Sequence, residues 1–223
     1  MIDLNKSNKM NKTDTVRLYG AGGHSQIIKL LLEQNGVSVN EIFDDNPSKS
    51  HPKFKNIIPG IKHHSSFPYE GAPFIVGIGD NMHRYKIAKV LTSGFAKAIH
   101  TTAVVDPSSI LGDGSVVYAG AVIQPNTYIG KHVIINTLAS VDHDNIINDF
   151  VHISPNVTLC GLVEIGEGSH IGAGAVVIPK VKIGKWCTIG AGAVIIKDIP
   201  NYAVVVGNPG KIIKMNYPES VLV

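Results

Sequence analysis

The stretch ISPNVTLCGLVEIGEGSHIGAGAVV, Ile153 to Val177, places an aliphatic residue at every sixth position: Ile153, Leu159, Ile165, Ile171 and Val177. Extended in both directions, the register holds without insertion from Val105 to Ile195, sixteen consecutive positions. Neither the 3.6-residue period of a helix nor the two-residue alternation of a strand produces it. Four residues after each aliphatic position except Val141 sits a small or β-branched residue, as at Ser109, Ser115, Ala121, Thr127, Val133 and Ala139, then Val151 through Ala193. Glycine often fills the slot after the aliphatic residue, as at Gly112, Gly130, Gly166, Gly172, Gly184 and Gly190. A fixed period of this kind marks a stacked repeat, and a six-residue period predicts a parallel β-helix.

Each hexad then supplies one short strand and one turn, forming one face of a triangular coil. Three hexads close a coil, and coils stack at the inter-strand distance of about 4.8 Å. The aliphatic residues fill the prism, and stability comes from coil stacking on coil. This repeat is the signature of the left-handed form of the β-helix. Ahead of it the pattern differs. TVRLYG, NEIFDDN and PFIVGIG read as buried strands, and SQIIKLLLEQNG and NMHRYKIAKVLTSG as helices each ending on a glycine, Gly36 and Gly94. Alternating strands and helices imply a small parallel α/β domain. The expected organisation is a polar tail over 1–14, an α/β domain over 15–98, a β-helix over 99–213 and a C-terminal tail over 214–223.

The bounds agree with a globular chain. Of 223 residues 44% are hydrophobic and 17% charged, which argues against disorder. A formal charge of +3 without a basic cluster argues against nucleic acid. No apolar run approaches the ~18 residues of a membrane span, and the first fourteen residues, MIDLNKSNKMNKTD, have no apolar core of a signal peptide. Cys160 and Cys187 have neither disulfide-framework nor metal-ligand spacing. The expected location is the cytoplasm.

The polar cluster VDHDN, Val141 to Asn145, stands out inside the repeat, although Val141 and Ile147 keep the register. His143 falls at a turn position with Asp144 directly after it. Histidine has the unperturbed pKa of a general base, and an adjacent carboxylate can hold its tautomer. Gly161 lies three hexads beyond His143, one coil along, where it leaves room and exposes a backbone N–H. Asn145 occupies an inward slot and is expected to bond the turn backbone behind the histidine. In the first domain Gly20, Gly22 and Gly23 follow a strand and precede a helix, with Asp44 and Asp45 closing the second strand. That resembles a dinucleotide fingerprint. Ser25 replaces the third glycine, however, and the domain is half the usual size, which argues against NAD.

The combination YGAGGH, FDDN, VGIGDN, uninterrupted hexads containing HD, and a closing VVGNPGKII resembles the bacterial sugar O/N-acyltransferase family, over roughly Val16 to Ile213. The resemblance implies acetyl-CoA as donor, a homotrimer, and active sites in clefts between neighbouring β-helices. By it His143 is the general base, Asp144 raises its basicity, and the Gly161 amide is an oxyanion donor. His152 and backbone at Ala173 and Ala191 would contact the coenzyme, and the loop from Val206 to Lys211 would close over it. Lys197 and Lys211 are candidates for its phosphates. Gly22, Gly23 and His24 would lie along a nucleotide-sugar, Asp44 and Asp45 would meet the nucleoside, and Gly79 would line the pocket. The implied reaction is N-acetylation of the 4-amino group of a nucleotide-linked amino-deoxysugar for surface glycan synthesis. UDP is the expected nucleotide, with GDP open because a carboxylate can meet either base. O-acetylation of a sialic-type or other sugar is the alternative within the class, and a non-catalytic β-helix scaffold the alternative outside it. His132, His143, His152 and His170 do not call for a metal, because the HD pair accounts for His143 without one.

Overall fold

The computed structural model describes residues 15–49, 52–61, 71–91 and 93–217; the segments 1–14 and 218–223 of the expected tails lie outside the described residues. The first domain contains strand β1 (Thr15–Tyr19), helix α1 (Gly23–Gln34), β2 (Ser38–Asp44), a 3-10 turn (Pro47–Lys49), β3 (Ile58–Pro59), β4 (Phe74–Val76) and helix α2 (Asn81–Val90). The four strands form one parallel sheet in the order β3-β2-β1-β4. β3 was not foreseen, because two residues carry no periodic signal.

Helix α1 stops where its glycine predicts. Gly36 takes φ 76, and Val37 N–H donates to Leu32 O at 2.9 Å while Gly36 N–H donates to Glu33 O, a Schellman ending. The second helix does not reach Gly94. It ends at Val90 with Leu91 already extended at φ −73, ψ 119, and Leu91 is buried, so packing rather than a glycine terminates it.

From Ala98 onward two-residue strands alternate with turns, and each pairs in parallel with the strand three hexads along: Ile129 with Ile147, Ile147 with Ile165. The result is three sheets, of eight, six and five strands. They are called here the first face (beginning at Ala98–Ile99), the second (Val104–Val105) and the third (Ile110–Leu111). The hexad aliphatics from Leu111 to Ile195 lie in one continuous buried cluster. Every sixth residue from Gly114 to Gly192 has a positive φ, so each turn contains one left-handed residue. Glycine fills that place without cost, and asparagine or aspartate with little, whereas leucine or tryptophan costs about 1–2 kcal/mol. Asp144 is one of these residues, at φ 57.

Polar inward residues tie coil to coil. Ser115 accepts from Val133 N–H and donates to Gly130 O; Ser169 accepts from Cys187 N–H and donates to Gly184 O. The strand Lys211–Met215 pairs antiparallel with Ala203–Val206 and so continues past residue 213, where the β-helix region was expected to end. The first domain packs on the first face, sharing a core in which Leu18, Ile28 and Leu32 meet Val116, Tyr118 and Ile134. No helix among the described residues is long and apolar enough to cross a membrane.

Candidate active site

The turn 142–145 joins the second face to the third. Its backbone is held on every side. The Asp142 carbonyl accepts from Asn145 Nδ2 at 2.6 Å and from Thr127 Oγ1 at 3.0 Å, His143 N–H donates to Asp142 Oδ1, and Asp144 N–H to Pro125 O. Asn145 is fully buried. It extends the serine pattern by one bond, since it also donates to Cys160 O and accepts from Val163 N–H. One side chain therefore links the turn bearing His143 to the turn bearing Gly161.

The His143 ring is half exposed, and its Nδ1 lies 2.7 Å from Asp144 Oδ2. That hydrogen bond, with the neighbouring charges of Asp142 and Asp144, raises the histidine above its ordinary pKa; the Asp144 carboxyl is correspondingly lowered, first by His143 and then by Asn126. With Nδ1–H given to Asp144, Nε2 is the free basic atom. It faces Gly161: a Cβ there would come within 2.8 Å of His143 Cε1 and Nε2. The Gly161 N–H has no protein acceptor among the described residues. A base and an uncommitted backbone donor thus lie on adjacent coils.

The glycine loop of the first domain lines a cleft of about 250 Å³ with Gly22, Gly23, His24, Asp44, Asp45 and Gly79. Asp44 is not free of the loop. Its Oδ2 accepts from Ala21 N–H and its Oδ1 from Asn46 N–H, each at 2.7 Å, so it shapes the loop as well as facing the cleft. Asp45 Oδ1 accepts from Tyr19 Oη. Ser25, standing where a third glycine was absent, is buried and donates to Gly77 O, locking helix against strand.

His24 and Gly79 also line a second groove of about 540 Å³ along the first face, with His152, His170, Trp186 and Thr188. Here the rings form a column: His152 stacks on His170 at 4.8 Å and takes the edge of His24 at 5.4 Å. His152 is 6% exposed and both of its nitrogens face protein. Nδ1 lies 3.3 Å from Gly79 O, which can only accept, and Nε2 lies 3.1 Å from Asn136 Nδ2. Asn136 Oδ1 accepts from Thr137 N–H, so the amide presents its NH2 to the ring. His152 is therefore the neutral Nδ1–H tautomer. Burial first, then the nearby charges of His170, Arg84 and His24, push it down to about 2.

Ala173 and Ala191 are exposed on successive turns between the first and second faces, joined by Gly192 N–H to Ala173 O. A Cβ at Gly174 or Gly192 would meet nothing, so this edge is bare. The 206–211 loop is tied to it through Val194 N–H to Gly207 O and Gly210 N–H to Val194 O. Lys197 and Lys211 are exposed at the same end.

One chain thus brings the expected residues together in two places. Gly22, Gly23, His24, Asp44, Asp45, Gly79 and His152 line the cleft or the groove on the first face, with the bare edge of Ala173 and Ala191 beside it. His143, Asp144 and Gly161 occupy the corner opposite that face and line neither cavity. Sequence reasoning missed Arg84, Tyr118 and Asn136, which meet the site only through domain packing.

Comparisons with known proteins bear on this arrangement. The PglD N-terminal domain family matches residues 15–91, and the bacterial transferase hexapeptide (six repeats) family residues 162–197. The acetyltransferase domain of PglB from Neisseria gonorrhoeae FA1090 is 37% identical, with TM-score 0.82, over 90% of this chain and 100% of that one. Perosamine N-acetyltransferase from Caulobacter crescentus, solved with CoA and GDP-perosamine, is 34% identical, with TM-score 0.84, over 90% and 97%. UDP-N-acetylbacillosamine N-acetyltransferase of Bacillus subtilis (strain 168) is 36% identical over 119 residues, 46% of this chain. The chain spans half or less of the length of the curated relatives it matches.

Proposed function

The chain belongs to the hexapeptide-repeat sugar acetyltransferases, and we propose that it moves an acetyl group from acetyl-CoA to the 4-amino group of a nucleotide-linked amino-deoxysugar. The observation that carries this reading is the pairing, in one chain, of a carboxylate-lined glycine-loop cleft with a His143–Asp144 dyad facing the uncommitted amide of Gly161. The relatives solved or named with CoA, GDP-perosamine and a UDP-amino sugar support the same substrate classes.

His143 Nε2 takes the proton from the amine as its nitrogen attacks the thioester carbonyl. Asp144 keeps Nδ1–H in place and stabilises the imidazolium that results. Gly161 N–H receives the oxyanion. Collapse of the tetrahedral adduct forms the amide and breaks the C–S bond, and His143 returns its proton to the departing thiolate.

A single chain keeps His143 away from its own cleft, because the base lies on the corner opposite the face that holds the pocket. A homotrimer resolves this when that corner of one protomer meets the Ala173–Ala191 edge and cleft of the next. In this reading the enzyme works in the cytoplasm.

The test is release of free thiol from acetyl-CoA with a panel of UDP- and GDP-linked amino sugars and their hydroxyl counterparts. Turnover is expected only with an amine acceptor; thiol release with none of them, or with hydroxyl sugars alone, refutes the reading. Co-expressing His143→Ala with Gly23→Leu, whose side chain would fill the cleft, tests the shared site. Random trimers should recover about a quarter of wild-type activity, and no recovery would place each site within one chain.

A further inference from the structure

Among the described residues Arg84, on α2, is the largest fully buried side chain, at 1% exposure, and it lies where the two domains meet. All five of its N–H donors are used. Nε donates to His132 O at 2.9 Å, and Nη1 to Ile78 O at 2.9 Å and Gly79 O at 3.2 Å. Nη2 donates to Asn81 Oδ1 at 2.7 Å and Phe150 O at 2.8 Å. Every acceptor is neutral, and none of the salt bridges among the described residues includes Arg84. A buried guanidinium without a carboxylate is costly, and an apolar side chain of similar volume commonly stabilises a fold as well or better. Packing alone therefore does not account for it.

Its contacts lead into the site. The Gly79 carbonyl takes Arg84 Nη1 on one lone pair and His152 Nδ1–H on the other. Gly79 and His24 both line the cleft and the groove, and His152 carries His24 on its edge and His170 on its face. A Cβ at Gly79 would come within 2.6 Å of His24 Nε2, so the carbonyl, the three rings and the junction form one packed unit. Burial first, and the Arg84 charge second, lower His24 and His170 as well, with the Asp80 carboxylate, whose charge also acts on Arg84, opposing this at His170.

We propose that Arg84 is a positioning residue for the acceptor: through Gly79 O it fixes His152 and the ring column that walls the cleft–groove junction, and its charge, bridged directly to no carboxylate, is the electrostatic complement of the substrate's diphosphate. The diphosphate rests on the function proposed above. The link from Arg84 through Gly79 to His152 does not.

Nitrogen NMR of histidine-labelled full-length protein reads the link without catalysis. His152 is expected with a protonated Nδ1 and a lone pair on Nε2; the opposite tautomer or an imidazolium at neutral pH overturns the proposal. Calorimetry with UDP and GDP reads the charge. Arg84→Met should weaken the preferred nucleotide about tenfold, whereas Arg84→Lys, which keeps the charge and loses the fork, should recover most of that affinity while still disturbing the His152 signals. Acetyl-CoA affinity should stay within about twofold throughout. A purely structural arginine would instead lower both affinities in step with the folded fraction, with lysine giving no selective rescue. If Arg84→Met does not fold, the wild-type tautomer and the lysine variant decide. Wild-type protein that binds these nucleotides but acetylates no sugar would refute the proposed reaction and leave this inference standing.

Discussion

His143 and His152 belong to the same solenoid, and their surroundings drive them in opposite directions. His143 projects from a turn, half exposed, with a carboxylate on Nδ1 and no hydrogen-bond partner on Nε2 among the described residues. His152 lies between a carbonyl and an amide, stacked and buried, with both nitrogens turned to protein. One ring is raised, first by its hydrogen bond to Asp144, and one is lowered, first by its burial. In the proposed reaction, chemistry belongs with the first and shape with the second. His143→Ala is accordingly expected to cut kcat by about 10³-fold with nucleotide affinity unchanged. His152→Gln should act on nucleotide affinity rather than on the chemical step. Equal losses of kcat from both, in steady-state assays, would erase the distinction.

Gly161 sharpens the same contrast from the other side of the base. Its φ is not positive, so alanine meets no backbone penalty, and the clash falls on the tip of an exposed ring. The ring can swing aside at little structural cost and lose its aim. Gly161→Ala should lower kcat by about 10²-fold, since a displacement near 1 Å is enough for that, while leaving the melting temperature nearly unchanged. An unaltered kcat would mean that this edge of His143 does not face the reaction.

How much of this could be read beforehand follows from which contacts repeat. The eighteen-residue register is regular enough that His143 beside Gly161, and His152 beside His170, could be placed by counting. The inward slot of Asn145 was legible for the same reason. Contacts across the domain boundary have no period. Arg84 reads as one more charge on a helix, Asn136 as one more turn residue, and nothing in the sequence says which face of the prism the first domain covers. The separation of His143 from the cleft therefore emerges only from the assembled faces. The unforeseen strand Ile58–Pro59 and the early end of α2 have the same cause, because both depend on partners distant in sequence.

A buried histidine outside the reaction allows the contrast to be tested in stability. His132 is 4% exposed, lies parallel to Phe150 at 5.0 Å and edge-on to Phe95 at 4.4 Å, and its Nδ1 has no partner. Burial, then the Arg84 charge, lowers it to about 4. The unfolded chain, titrating near 6.5, binds the proton first, so this contribution is intact above pH 6.5 and drains away as pH falls toward 4. From pH 7 to pH 5 the loss is about 2 kcal/mol. His143 has the opposite sign: its raised value favours the folded state at low pH, and the effect fades as pH rises through that value. Denaturant midpoints at both pH values should show the drop in wild type and a smaller one in His132→Phe, which keeps the ring stack. Equal drops would assign the acid sensitivity to other groups.

Asp144→Asn is expected to have the smallest effect and the most specific one. Asparagine suits the left-handed backbone at φ 57, and its Oδ1 can still accept Nδ1–H, so the fold and the aim of the ring survive. The negative charge is lost, so the hydrogen bond that is the largest cause of the raised His143 pKa becomes one to a neutral, weaker acceptor. The base must be neutral to act, so kcat/KM falls on the acid side of its pKa. The variant's acid limb should move to lower pH, toward the ordinary histidine value, while the plateau drops about tenfold because the imidazolium is less stabilised. A pH–rate profile separates the two effects. A lower plateau with an unmoved limb would make Asp144 an orienting group only, and an unmoved plateau would remove it from the mechanism.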